Sequence, residues 1–146
     1  MSGPIVITGM HRSGTSLLAS LLRSSGLHLG ERLLPPSRAN QPGYFEDVDF
    51  IGLHDRALKR LGRSMYDPPD STGAFDGDVL EDAQSLLEKS AGQSPWGWKD
   101  PRSALFLEQW LRLAPDAQFV FVYRHPTQVI HSLRRRGDAE LQWQYP

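Results

Sequence analysis

Cysteine is absent from the 146 residues, which excludes disulfide frameworks, thiolate metal sites and cysteine nucleophiles. No apolar run approaches the roughly 20 residues that a membrane-spanning helix needs. The opening residues, Met1-Ser2-Gly3-Pro4-Ile5, have neither the basic segment nor the long apolar stretch of a secretory signal. A soluble protein of a reducing compartment, most simply the cytoplasm, is the expectation. A dominant charge is lacking too: 16 Lys plus Arg stand against 17 Asp plus Glu. Neither a basic nucleic-acid wrapper nor an acidic disordered tail fits that balance. Lysine itself is scarce, with Lys59, Lys89 and Lys99 alone beside 13 arginines. Arginine suits forked contacts to oxyanions, although the bias by itself decides nothing.

What is present suits one domain over residues 1–146, with room for one core. Ile5-Val6-Ile7 is a short β-branched run without alternation, as expected for a strand covered on both faces. From Thr15 the spacing of Leu17, Leu18, Leu21 and Leu22 is helical, with Gly26 as its natural stop. Residues 30–46 read as loop. Asp47 or Asp49 then caps a helix to about Leu61, with Ile51, His54, Leu58 and Leu61 on one face. After an irregular stretch over 62–77, Asp76 or Asp78 caps a helix carrying Val79, Leu80, Ala83, Leu86 and Leu87. Trp96-Gly97-Trp98-Lys99 forms a short strand halted by Asp100-Pro101. Ser103 to Leu113 is helical, with Leu107, Trp110 and Leu111 inward, and Phe119 to Tyr123 is the clearest buried strand. Pro126 opens a last helix that continues through Val129, Ile130 and Leu133.

Strands alternating with helices predict an α/β domain with a mostly parallel sheet flanked by helices, and the loop at residues 9–16 extends this to a P-loop-containing nucleotide-binding fold. Such sheets bind ligands at the carboxyl ends of their strands. Both notable polar clusters, residues 9–16 and 124–132, follow predicted strands, which places them at the same edge of the sheet.

The first cluster, Gly9-Met10-His11-Arg12-Ser13-Gly14-Thr15-Ser16, has the G-x-x-x-x-G-x-[ST] spacing of a phosphate-binding loop. Its glycines let the backbone curl, and amides at the following helix N-terminus face an anion. Thr15 stands where an ATPase carries the lysine that reaches the β- and γ-phosphates. The nearest cation is Arg12, inside the loop, so the loop suits an anion but not magnesium-dependent triphosphate transfer. In the second cluster, Arg124 ends a strand and Ser132 lies two helical turns on, where a guanidinium and a hydroxyl can share one phosphate. Arg134, Arg135 and Arg136 complement a helix C-terminus and are read as solvated.

Three motifs in order, R-S-G-T-S after a strand, W-K-D-P-R in the middle, and V-Y-R-H-P with a later serine, resemble those of the sulfotransferases that use 3′-phosphoadenosine 5′-phosphosulfate (PAPS). The version here is similar to the bacterial and tyrosylprotein enzymes, over residues 4 to about 136. The resemblance implies a metal-free site. Arg12 would meet the bridging and sulfuryl oxygens, and Lys99 would be the second cation. Backbone amides of Ser13, Gly14, Thr15 and Ser16, with the Thr15 and Ser16 hydroxyls, would hold the 5′-phosphate; Arg124 and Ser132 would hold the 3′-phosphate. His11 is grouped with the donor-binding residues, and His125 flanks the second phosphate. Glu46, in Gly43-Tyr44-Phe45-Glu46, is the implied base, with Glu31 and His54 as rivals, while Asp100 is read as fixing Lys99 or a turn. The implied acceptor is a small molecule, glycan or lipid bearing a hydroxyl or amine, with no nucleic acid involved. Tyr44, Phe45, Tyr66 and Phe75 line its pocket or belong to the core. Relatives continue well beyond this length, so truncation after Trp143-Gln144-Tyr145-Pro146 is the expectation. A magnesium-dependent P-loop kinase-like enzyme and a non-catalytic nucleotide-binding remnant remain the alternatives.

Overall fold

A computed structural model describes residues 3–37, 40, 43–69 and 73–136, and of Arg136 its backbone alone. The chain end from Trp143 lies outside the described residues. Three parallel strands form the sheet: β1 (Ile5–Thr8), β2 (Gly97–Lys99) and β3 (Gln118–Phe121), in the order β2-β1-β3. Val6 stands beside Trp98 on one side and Phe119 on the other, so β1 is central.

The continuous apolar run of β1 has the expected cause, because each face meets a different core. Val6 joins the larger cluster with Trp98, Trp110, Phe50, Leu53 and Phe106, while Ile7 joins Ala19, Leu27 and Leu29 on the opposite face. Burying such a side chain contributes about 1.5–3 kcal/mol. Helix α1 (Thr15–Ser24) covers the second face. It ends as Gly26 predicted: that glycine is left-handed at φ 100°, and the Gly26 and Leu27 amides donate back to the Arg23 and Leu22 carbonyls.

The first face is covered by α2 (Val48–Arg60), α3 (Gly77–Ser90), a 3₁₀ segment (Pro101–Phe106) and α4 (Leu107–Leu113). Asp47 is the cap of α2, its carboxylate accepting from the Asp49 amide at 2.8 Å. The face α2 buries is Phe50, Leu53, His54, Ala57 and Leu58; the expected Leu61 is exposed, because the helix ends at Arg60. Asp76 stands at the N-cap of α3, yet its side chain pairs with Arg60 of α2 rather than with its own helix. The helix expected from Ser103 starts earlier and tighter: Asp100 accepts from the Arg102 amide and initiates the 3₁₀ segment at Pro101. That tighter pitch turns Phe106 inward beside Trp110 and leaves Leu111 exposed, contrary to the helical projection.

β3 corrects the sequence reading most sharply. Phe121 is 55% exposed and Tyr123 is 80% exposed, although this run looked the most buried. The reason is position: among the described residues β3 pairs only with β1, so it is an edge strand with one covered side. On the far side of the sheet, the backbone of His28 bridges to Trp96 beside β2 and shields that edge. The last helix, α5 (Pro126–Arg136), begins at proline and buries Val129, Ser132 and Leu133.

Candidate active site

The loop between β1 and α1 begins where Gly9 passes Val122 so closely that a Cβ would lie 2.3 Å from the Val122 carbonyl oxygen. Its φ of 137° is likewise one that glycine alone tolerates well. Gly9→Ala should therefore destabilise the fold by about 1–3 kcal/mol. Urea unfolding followed by circular dichroism checks this; an unchanged midpoint would mean that β3 shifts freely away from the loop.

Beyond Gly9 the loop turns through Arg12, which is left-handed at φ 67°. Its Nε donates to Ser132 Oγ at 3.0 Å, and Arg124 Nη1 donates to the Arg12 carbonyl at 3.1 Å. The two polar clusters, separate in sequence, thus meet directly. Ser13 Oγ is buried with no hydrogen-bond partner, an orphaned donor inside a loop whose following helix offers its own free amides. An anionic ligand would satisfy both. Thr15 is buried, and Ser16 faces the opposite wing of the site. His11 is half-buried, its ring 6.5 Å from that of Tyr66, whereas His125 is exposed. Arg134 and Arg135 are exposed, as read from the sequence; the Arg136 side chain lies outside the described residues.

The opposite wing is built by β2, Asn40 and residues 43–47. Lys99, ending β2, is buried with its ammonium paired to Glu46 Oε1 and within 3.5 Å of Ser16 Oγ. Asn40 Nδ2 donates to the Gly43 carbonyl at 2.6 Å and reaches Ser16 Oγ at 3.4 Å, which ties this chain to the phosphate loop. Glu46 is only 6% exposed. Burial pushes its carboxyl above the usual carboxylate range, while Lys99 and Arg102 pull it back.

The two rival bases fare differently from Glu46. Glu31 is exposed and pairs with His28 at 3.4 Å rather than with Lys99. His54 is fully buried among Phe75, Phe106 and Trp110. Trp110 Nε1–H can only donate, and it does so to His54 Nε2 at 3.0 Å; the His54 proton therefore sits on Nδ1, 2.9 Å from Asp100 Oδ2. This histidine is a structural linker. Of the aromatic candidates, Phe75 is core, Phe45 packs beneath α1, Tyr66 packs on Val129 and Leu133, and the Tyr44 hydroxyl bonds Ser37 Oγ at 2.6 Å.

Asp100 does more than fix a turn. Burial favours its neutral form, but His54 and Arg102 outweigh burial and hold the carboxyl well below the usual range. Arg102, the last residue of W-K-D-P-R, was given no role from sequence. It is buried and reaches Asp100 Oδ1 at 3.0 Å, Asp55 Oδ1 at 2.8 Å and Glu46 Oε2 at 3.9 Å. The signal available for it was a second cation in the same motif as Lys99.

Two grooves flank the loop. One, of about 280 Å3, runs between Ser13, Tyr123, Arg124 and Ile130; the other, of about 210 Å3, lies among His11, Met65, Arg102 and Leu105. Among the described residues no cluster of His, Cys, Asp and Glu could hold a metal ion, and no helix is long and apolar enough to cross a membrane.

A parallel α/β sheet whose first strand leads through a lysine-free glycine loop into a helix, with that loop joined to a second arginine and serine, is a P-loop-like fold. The model of the sulfotransferase family matches residues 4–145, and the chain belongs to that family of transferases. No curated protein and no solved structure gives a comparable match.

Proposed function

We propose that this chain moves a sulfuryl group from PAPS to a hydroxyl or amine acceptor by direct in-line displacement. The observation that carries this reading is the meeting of the two basic clusters: Arg12 of the phosphate loop donates to Ser132, and Arg124 donates to Arg12. A donor bearing phosphate on both its 3′ and 5′ oxygens would need two such anion sites side by side, and the unpartnered Ser13 hydroxyl supplies a further donor.

In this reading the amides from Ser13 to Ser16 hold the 5′-phosphate, with the Thr15 and Ser16 hydroxyls. Arg124 and Ser132 take the 3′-phosphate, and His11, within the loop, borders the donor. The acceptor oxygen attacks sulfur, the sulfur–oxygen bond to the 5′-phosphate breaks, and adenosine 3′,5′-bisphosphate leaves with its electron pair. Arg12 and Lys99 stabilise the charge that develops on the sulfuryl and bridging oxygens, as preorganised cations do in phosphoryl transfer. Glu46 accepts the acceptor proton; burial makes its carboxylate a stronger proton acceptor, provided the group stays ionised. The acceptor is a small molecule, a glycan or a lipid.

Calorimetric titration without magnesium, using adenosine 3′,5′-bisphosphate against ADP and AMP, tests this. A preference for the bisphosphate of at least about tenfold is expected, since one charge-assisted phosphate contact contributes about 1.5–3 kcal/mol. Arg124→Ala with Ser132→Ala should erase that preference and weaken the bisphosphate far more than AMP. Equal loss for both nucleotides would move the 3′-phosphate elsewhere. Binding of ADP that appears only with magnesium would overturn the proposal in favour of a kinase-like enzyme.

A further inference from the structure

Lys99 has two tasks in the proposed reaction, and one ammonium cannot serve both fully. It is paired with Glu46 and stands at the phosphate loop beside Ser16. In the proposed reaction an anionic donor in that loop would draw the ammonium from the carboxylate toward the sulfuryl oxygens. Glu46 remains buried, and burial keeps favouring its protonated form, in which it can no longer accept a proton.

The geometry supplies a second cation that cannot follow the donor. Arg102 faces the other carboxylate oxygen, with Nη1 3.9 Å from Glu46 Oε2. The same Nη1 donates to Asp100 Oδ1 at 3.0 Å, while Nε faces Asp55 Oδ1 at 2.8 Å and Nη2 the Met65 sulfur at 3.2 Å. Asp100 is itself held by His54, and His54 by Trp110, so the anchor reaches back into the aromatic core. Arginine does not deprotonate at any working pH. The charged groups facing Glu46 are thus Lys99 at the end of β2, Asp100 just after it and Arg102 from the 3₁₀ segment, with Asp55 and His54 of α2 behind Arg102 and Asp100. Asp100 opposes ionisation of Glu46, and Arg102, paired with both Asp100 and Asp55, favours it.

We propose that Arg102 is a positioning residue that keeps Glu46 ionised, and therefore able to take the acceptor proton, when Lys99 turns to the donor. This inference rests on the reading of Glu46 as the base, but its test needs neither donor nor acceptor. The chain is labelled with carboxyl-13C glutamate and titrated by NMR, the Glu46 signal being assigned by its loss in Glu46→Gln. Arg102→Met should raise the Glu46 midpoint by about one pH unit or more, the size of shift that an opposite charge at this range produces. Arg102→Lys, which keeps a charge without the fork, should restore part of that difference. A folded Arg102→Met protein with the wild-type midpoint overturns the proposal.

If Arg102→Met does not fold, Asp55→Asn decides. It alters a half-exposed partner of Arg102 and removes a negative charge, so the Glu46 midpoint should fall by about a few tenths of a pH unit. An unchanged midpoint there also overturns the proposal. Failure of the base reading is recognised separately: Glu46→Gln would then leave sulfuryl transfer undiminished, whatever the titration shows.

Discussion

Asp100→Asn is expected to cost the domain about 3 kcal/mol of stability, nearly as much as Asp100→Ala, although it changes a single atom in the side chain. Asp100 offers two acceptors: Oδ2 receives His54 Nδ1–H, and Oδ1 receives the Arg102 amide and Nη1–H. An asparagine presents one acceptor and one NH2 group. In one orientation its NH2 faces His54 Nδ1–H, and moving that proton to Nε2 only transfers the conflict to Trp110 Nε1–H. In the other orientation the NH2 faces two donors of Arg102. Every arrangement leaves buried polar groups unmatched, which is why the isosteric change is severe.

The same carboxylate sets an acid limit. Its pKa is depressed in the folded state, so the unfolded chain binds the proton first. The stability it contributes is present above the ordinary aspartate value of about 3.9 and is lost as pH falls through the folded value. Urea midpoints of the wild type should decline below about pH 4, and this decline should be shallower in Asp100→Asn. Equal slopes in the two proteins would assign the acid limb to other groups.

Lys99→Met should reduce sulfuryl transfer by about 100- to 1,000-fold, the typical effect of deleting one preorganised charge donor. The affinity for adenosine 3′,5′-bisphosphate should change by no more than about threefold, since that product lacks the sulfuryl group. Arg12→Ala should behave differently and lose both transfer and nucleotide affinity, because Arg12 forms the loop and also holds Ser132. Release of bisphosphate from PAPS with a panel of hydroxyl acceptors, set beside calorimetric titration, separates these effects. Equal loss of affinity in both variants would mean that Lys99 binds the nucleotide rather than the transferred group; undiminished turnover in Arg12→Ala would remove Arg12 from the reaction.

The strands and the order of their helices were legible because they are local. A β-branched run such as Ile5-Val6-Ile7, a stop at Gly26 and a cap at Asp47 each depend on neighbours within a few residues. The glycine loop between β1 and α1 was legible for the same reason: its glycines, its missing lysine and Arg12 lie close together in the chain. The parallel α/β pattern further placed residues 9–16 and 124–132 at one edge, and the contact of Arg12 with Ser132 agrees with that placement.

Tertiary structure decided what depends on a neighbour far along the chain. Phe121 and Tyr123 look like core in one dimension, yet an edge position leaves them exposed. His54 looks like a candidate base, yet Trp110 and Asp100 occupy both of its nitrogens. Glu46 and Lys99 were each singled out alone, and only folding makes them one buried pair with Arg102 on its far side. Periodicity reports which face a residue occupies relative to its own helix or strand. Burial, charge state and hydrogen-bond direction are set by what packs against that face.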